Sequence, residues 1–512
     1  MEYLIGIDAG TSKVKAVLFD LEGNEVKIES LDNEPLHLGE GRIEQDMNVL
    51  WEKVLLCIKN LFNDGINPKD VIGIGVSGQG EGCWLIDENG NPVDNSILWC
   101  DGRATDLVNK ITKNKDDERS LFSTTGTMVL TGTAATLLRW TKENKKENLD
   151  KAKNLLFCKD WIRYKLTGRI NLELSDTATS LMDIQERVIS DDVLKRLDIY
   201  EYKYLLSNIL KPYEIAGSIT EEIANETGLR KETPVGAGAI DVVAATVGIG
   251  AINSGDICTI LGTTCSSNIV MDKATPGKEC TRFEVHALED LYLNLQATMS
   301  GTPNIDWLLD NISQSKDFKT IEEGISKVNP GCDGVIYHPY IGTSGERAPF
   351  YNPNARASFF GITTSTTRNH LIRAIYEGIA FSIKDCLKES KVEEGGKIYL
   401  AGGGAKSDVW AQIIADCTNR EVITSFGNEI AAKGSAILIG IALGKYSNFK
   451  DAINKVCKFK KIYYPNVKNS FIYEELYKLY KDIRLSNNNL WNKRITILKN
   501  IDNQSLVQEG VL

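Results

Sequence analysis

Asp8 closes an apolar run, Leu4-Ile-Gly-Ile7, and opens the sequence Asp-Ala-Gly-Thr-Ser-Lys at residues 8–13. A turn of small residues lets backbone N–H groups approach an anion closely, and the Thr11 and Ser12 hydroxyls add donors. A carboxylate beside such a cradle suits a metal ion bridging to phosphate oxygens. On its own the segment reads equally well as a plain hairpin with a glycine turn. A second carboxylate, Asp241, follows Val235-Gly-Ala-Gly-Ala-Ile240. In isolation it is either a turn aspartate or a general base.

The elements that must position these groups are legible from apolar spacing. Residues 4–7 and 14–19 are expected to form two strands around the first turn, and residues 242–251 an apolar helix. Asp256-Ile-Cys-Thr-Ile-Leu-Gly-Thr-Thr-Cys-Ser-Ser-Asn-Ile-Val270 repeats the opening design of strand, hydroxyl-rich turn and strand. Two such hairpins half a chain apart suggest an internal duplication. Gly402-Gly-Gly404 breaks a third strand at 397–401 and precedes a helix from Ser407-Asp408 through Cys417, with Ser407 as N-cap. That layout suits a nucleotide-contacting loop, a plain helix start being the alternative. Helices are expected at 47–62, 102–114 and 431–443, the last rich in small residues and so tightly packed. The polar segment from Ser486 reads as a peripheral tail.

With 512 residues the chain exceeds what one core supports, so at least two domains are expected. A net charge of −10 argues against a nucleic-acid partner or an anionic membrane surface. The start carries no basic n-region with an apolar core, and no apolar run reaches spanning length, so a cytoplasmic protein is expected. None of the eleven cysteines forms a C-x-x-C pair or a zinc-spaced cluster with the four histidines. The cysteines read as reduced, mostly buried small hydrophobes, and the histidines as structural.

Gly73-Ile-Gly-Val-Ser-Gly78 fits G-x-G-x-x-G, but Gln79-Gly-Glu-Gly-Cys-Trp leads into another strand rather than a helix, which excludes a dinucleotide fingerprint. The sequence has no P-loop, no protein-kinase signature set and no nucleophile elbow.

Five segments, taken in order, resemble the FGGY carbohydrate kinases. Ala357-Ser-Phe-Phe-Gly-Ile through Glu377 is similar to the family's C-terminal signature. The Asp8–Asp20 hairpin is similar to its first phosphate motif, Gly262-Thr263-Thr264 to the second, and residues 402–408 to its adenosine loop. Trp99-Cys-Asp101-Gly-Arg103 resembles its W-x-D-x-R sugar element. The resemblance spans residues 3–485. It implies an α/β fold of two ribonuclease-H-like (actin/hexokinase-type ATPase) domains flanking a central cleft. The expected boundaries are 1–245 for a sugar- and phosphate-binding domain, 246–485 for a nucleotide-binding domain and 486–512 for the tail. A homodimer is a family-level expectation.

The resemblance also implies roles. Asp241 is the expected general base, facing the terminal phosphate of ATP. Asp8 is expected to orient Mg²⁺. Thr11, Ser12, Lys13, Gly262, Thr263 and Thr264 are expected at the phosphates, and Gly403, Gly404 and Ser407 at the adenosine. Gln79, Gly80, Glu81, Trp99, Asp101 and Arg103 are expected at the acceptor. Asp101 and Arg103 have an alternative in simply pairing with each other, and Trp99 in belonging to the core. Where D-xylulose kinases show Met-His and glycerol kinases Arg-Glu, this chain has Gly80-Glu81, and Val242-Val243 follows Asp241. These departures lean toward the L-xylulose and erythritol kinase branch. The expected activity is ATP-dependent phosphorylation of a small polyol or ketopentose. D-xylulose or another pentulose is the alternative acceptor, and a non-catalytic sugar-binding pseudokinase is the alternative class.

Overall fold

The computed structural model describes residues 1–275, 282–392 and 395–508. Packing divides the chain into two units. The first unit holds residues 1–254, 270–294 and 425–458. The second holds 255–269, 295–424 and the chain from Phe459 onward.

The sheet of the first unit is ordered Ile215–Ser218, Pro234–Gly236, Val71–Gly78, Tyr3–Ala9, Lys13–Asp20, Glu25–Asp32, and Ala239–Ile240 also pairs with Val71–Gly78. Tyr3–Ala9 pairs antiparallel with Lys13–Asp20 and parallel with Val71–Gly78. Side chains alternate across a strand, so Ile5, Ile7 and Ala9 join one core cluster with Met47, Leu50 and Val54 of helix Met47–Asn60. That helix starts at Asp46, whose carboxylate accepts the Asn48 and Val49 N–H groups at 2.9 and 3.0 Å.

The other face of Tyr3–Ala9, carrying Gly6 and Asp8, receives helix Ile430–Ala442. A Cβ on Gly6 would lie 2.0 Å from the Ala432 carbonyl oxygen, and one on Gly75 1.9 Å from that of Ser435. The same helix crosses Asp241–Ile249 where Cβ atoms on Gly434 and Gly248 would each fall 1.8 Å from a carbonyl oxygen, of Ala244 and Ile430. The expected tight packing of the small-residue helix is what the backbone shows.

In the second unit the hairpin Ile257–Leu261/Cys265–Met271 pairs antiparallel, and its first strand pairs parallel with Ile398–Gly402, which pairs parallel with Val422–Ser425. This repeats the arrangement around the first hairpin and supports the duplication.

One expectation is corrected. The chain beyond Ser486 does not leave as an aperiodic tail but continues helix Val467–Gln508. Tertiary packing holds it: the Tyr473 hydroxyl donates to Glu377 at 2.7 Å, and the buried Trp491 ring stacks on Phe350 at 6.1 Å between centroids. Asparagines at 487–489 weaken local helix propensity without preventing a helix anchored on both sides. Among the described residues no helix is long and apolar enough to cross a membrane. Ten of the cysteines are free, nine of them buried; Cys280 lies outside the described residues.

Candidate active site

Three strands of the first unit run parallel and end together. Asp8 and Ala239 both stand in register with Ser77, and Ile240 with Gly78. Their C-terminal ends therefore deliver Asp8, the segment 79–81 and Asp241 to one place, the edge where α/β sheets collect ligand groups. Backbone and side-chain bonds tie the pieces. The Gln79 N–H donates to the Ala9 carbonyl at 2.9 Å, the Thr11 hydroxyl donates to Gln79 Oε1 at 2.9 Å, and Trp99 Nε1–H donates to Thr11 Oγ1 at 3.0 Å. Trp99 is 46% exposed and so is not a core residue. Gly80 lies against the residue before Asp241: a Cβ there would meet the Ile240 side chain at 1.9 Å and Asp176 Oδ1 at 3.1 Å.

Asp241 begins helix Asp241–Ile249 and accepts the Val242 N–H at 2.7 Å. Desolvation, reinforced by the negative charges of Asp8 and Asp176, pushes its carboxyl up to about 7, against the pull of the Val242 N–H and Arg282. Asp8 is also raised, to about 6, by burial and by Glu429, with Lys15 and the Ser77 hydroxyl opposing. Lys15 itself pairs with Glu429 at 2.5 Å. Both carboxyls are lifted toward neutrality, a perturbation found at functional sites and in structural charge clusters alike.

Glu81 is buried at φ +61°, a left-handed conformation uncommon for a side chain of this kind. Its N–H donates to Asp176 Oδ1 at 2.9 Å, and its carboxylate pairs with Arg282. Asp176 is anchored by Lys159, whose ammonium lies 2.6 Å from Asp176 and 3.3 Å from both Glu173 and Asp160, all four side chains fully buried. Burial raises the Glu81 carboxyl and Arg282 lowers it.

Other expected site residues are placed differently. Asp101 and Arg103 satisfy each other: Arg103 Nε and Nη2 donate to the Asp101 carboxylate at 2.9 Å, Nη2 also to Glu44 at 2.8 Å, and Asp101 Oδ2 accepts the Ile43 N–H at 2.6 Å. Their pairing is the structural alternative raised by the sequence, and it locks the loop that carries Trp99. Ser12 is exposed, its carbonyl accepting the Asn33 N–H at 2.8 Å, and Lys13 forms an exposed pair with Asp32 at 2.7 Å.

In the second unit Thr263 and Thr264 are exposed at the hairpin turn. There the Gly262 N–H donates to the Thr264 carbonyl at 3.0 Å, and the Gly262 carbonyl accepts the Thr302 N–H at 2.7 Å. Gly403 and Gly404 begin a short 3₁₀ turn, and Ser407 caps helix Asp408–Thr418 by accepting the Trp410 N–H at 3.0 Å. Gly402, at φ +85°, would place a Cβ 2.4 Å from the Leu261 carbonyl oxygen, so the break of the strand requires glycine.

Sequence reading missed Arg282, Glu284, Asp176 and Lys159. The available signals were charges inside otherwise apolar segments, Cys-Lys-Asp-Trp-Ile at 158–162, and the polar–apolar alternation Arg282-Phe-Glu-Val285. Among the described residues no group of three or more His, Cys, Asp or Glu could hold a metal ion by itself. A lone hard carboxylate such as Asp8 fits Mg²⁺, which takes one or two protein carboxylates and completes its shell with phosphate and water.

Residues 3–248 match the model of the FGGY family of carbohydrate kinases, N-terminal domain, and residues 258–443 that of the C-terminal domain. The chain is 30% identical to a xylulose kinase of Bacillus subtilis over 494 residues, covering 94% of this chain and 97% of that protein. It is 28% identical to an erythritol kinase of Brucella abortus, covering 96% and 98%. The crystal structure of a ligand-bound xylulose kinase from Lactobacillus acidophilus superimposes with a TM-score of 0.88 at 25% identity, covering 96% of this chain and all of that one. With both halves matched in order, and with the duplicated hairpin sheets in place, the chain belongs to the FGGY family of carbohydrate kinases, on their two-domain α/β fold of the actin/hexokinase type.

Proposed function

We propose that the protein transfers the terminal phosphoryl group of ATP to a hydroxyl of a small polyol or ketopentose, with Asp241 as general base. The reading is supported above all by the setting of Asp241: a carboxyl raised to about 7, at the joint C-terminal edge of three parallel strands, beside Asp8 and the segment 79–81. A base whose proton affinity lies near neutral pH both ionises and accepts a proton effectively.

In this mechanism the acceptor lies against Trp99, and Gln79 and Glu81 shape its pocket. Asp241 takes the hydroxyl proton as the oxygen approaches phosphorus in line, so no alkoxide develops uncompensated. The exposed Thr263 and Thr264 and the turn at Gly262 supply hydroxyl and backbone donors for phosphate oxygens, and Gly403, Gly404 and Ser407 shape the adenosine loop. Asp8 is the group that would hold Mg²⁺, which neutralises charge on the transferring phosphoryl group when bound. Asp101 and Arg103 act on the acceptor only by fixing the loop under Trp99.

Relatives named for xylulose, for erythritol and for gluconate match comparably, so the relatives by themselves do not choose the acceptor. The test is a panel of erythritol, L-xylulose, D-xylulose, L-ribulose and glycerol with ATP and Mg²⁺, with ADP release measured with and without acceptor. Acceptor-dependent turnover supports the kinase. ATP hydrolysis indifferent to every acceptor, or no turnover at all, would remove it.

A further inference from the structure

Strand Arg282–Val285 alternates in side-chain direction. Phe283 and Val285 enter a small core with Ala178, Met182 and Ile184, which puts Arg282 and Glu284 on the opposite face. There Arg282 pairs with Glu81, 201 residues away in sequence. The pair is asymmetric: the Glu81 side chain is 4% exposed and that of Arg282 27%. Arg282 Nε is buried without a hydrogen-bond partner among the described residues, and so are both oxygens of Glu284. Four carboxyl groups act on this one guanidinium, those of Glu81, Glu284, Asp241 and Asp176. A further cation in this cluster, Lys159, is fully buried and already shared among three carboxylates.

We propose that Arg282 is the positioning residue that sets the charge class of the acceptor: it holds the Glu81 carboxylate in place to accept hydroxyl hydrogens of an uncharged polyol or ketose, and the surrounding excess of carboxyl groups rejects an acidic sugar. This rests on the kinase reading given above. The geometry requires an outside support for Glu81. Its backbone is in a left-handed conformation, its N–H is committed to Asp176, and burial alone would favour the protonated acid, a hydrogen donor in place of an acceptor. Arg282 supplies the compensating charge, and its exposed part retains donor capacity for an acceptor oxygen. An aldonate would add a further negative charge beside a guanidinium that Glu81 and the neighbouring carboxyl groups already engage.

Among the described residues, the charged groups that act most on Asp241 are Asp8 at the end of the first strand, Asp176 on helix Leu174–Ala178, and Arg282, which is the positive one of these three. Loss of Arg282 therefore acts on the base as well as on Glu81.

The experiment compares kcat and KM for erythritol, L-xylulose, D-xylulose and D-gluconate in the full-length protein and in its Arg282→Gln, Arg282→Lys and Glu81→Gln variants, with pH profiles. The expected wild-type result is a preference for a neutral acceptor over D-gluconate by at least about a hundredfold. Arg282→Gln should raise KM for the neutral acceptor by about ten- to a hundredfold, with a smaller effect on kcat. It should also move the acid limb of kcat/KM to higher pH, and Arg282→Lys should recover part of both. Glu81→Gln should reproduce the KM effect with Arg282 intact. D-gluconate as the preferred acceptor overturns the proposal with no variant needed. So does an active Arg282→Gln or Glu81→Gln enzyme with unchanged KM and selectivity. A wild type that phosphorylates none of these four, nor L-ribulose or glycerol, overturns the kinase reading itself, which separates that failure from one confined to Arg282.

Discussion

Asp241→Asn separates chemistry from binding and from folding. Asparagine keeps the shape and, through its side-chain oxygen, the acceptor for the Val242 N–H that lies 2.7 Å from the carboxylate. It removes the proton-accepting ability. Positioned general bases contribute about 10²–10⁴-fold, so kcat should fall by that factor, about 3–5 kcal/mol of barrier, while acceptor KM changes by less than about threefold. Stability should move the other way. Raising the carboxyl from 3.8 to about 7 corresponds to an upper bound of about 4 kcal/mol against the ionised form in the folded state. The sign follows: the folded state holds this proton more tightly than the unfolded state, so its contribution to stability is present below the unfolded value and is lost as pH rises from about 4 to 7. A neutral amide avoids that loss, so at pH 8 the variant should melt above wild type by a few degrees. Steady-state kinetics, acceptor titration calorimetry and a thermal scan at pH 8 test all parts. Wild-type kcat/KM should rise through pH 7, and the residual activity of the variant should lack that limb. Activity within about threefold of wild type, or a lower melting temperature with normal binding, would refute the argument.

Three further outcomes are expected. Lys159→Met should destabilise the fold by about 3–5 kcal/mol in denaturant titrations, because Asp160, Glu173 and Asp176 would remain buried without their shared cation. Gly434→Ala should lower thermal stability by several degrees, since the new Cβ meets the Ala244 carbonyl oxygen at 1.8 Å, a backbone atom that cannot rotate away. Burial lowers His338 from 6.5 to about 4 while its Nε2–H donates to the Tyr480 carbonyl at 3.0 Å. The unfolded chain then binds the proton more tightly, so stability is full above about 6.5 and is lost as pH falls toward 4, by about 2 kcal/mol at pH 5; His338→Gln should flatten that part of the melting-temperature profile.

Local features were readable because their causes are local. Asp8 at the end of an apolar strand, the duplicated hydroxyl-rich turns, the strand broken at Gly402 and the Ser407 cap each follow from apolar periodicity, backbone sterics or one short hydrogen bond, and all four occur at the expected residues. The order of these motifs also sufficed for the family. The C-terminal helix was missed for the opposite reason. Its asparagines are poor helix formers, and the rings that hold it, Tyr340 and Phe350 around Trp491, lie far away in sequence.

What the sequence determined by itself is therefore the inventory of polar groups and the short elements carrying them: two carboxylates, two hydroxyl-rich turns, one glycine break. Tertiary structure alone decided which charges meet. It paired Asp101 with Arg103 instead of leaving both open, placed Lys159 beneath Asp176, and brought Arg282 onto Glu81. The physical reason is that an ion pair depends on strand register and side-chain parity across hundreds of residues, which no local pattern encodes, and its strength depends on a burial that exists only once the sheet and its helices have closed around it.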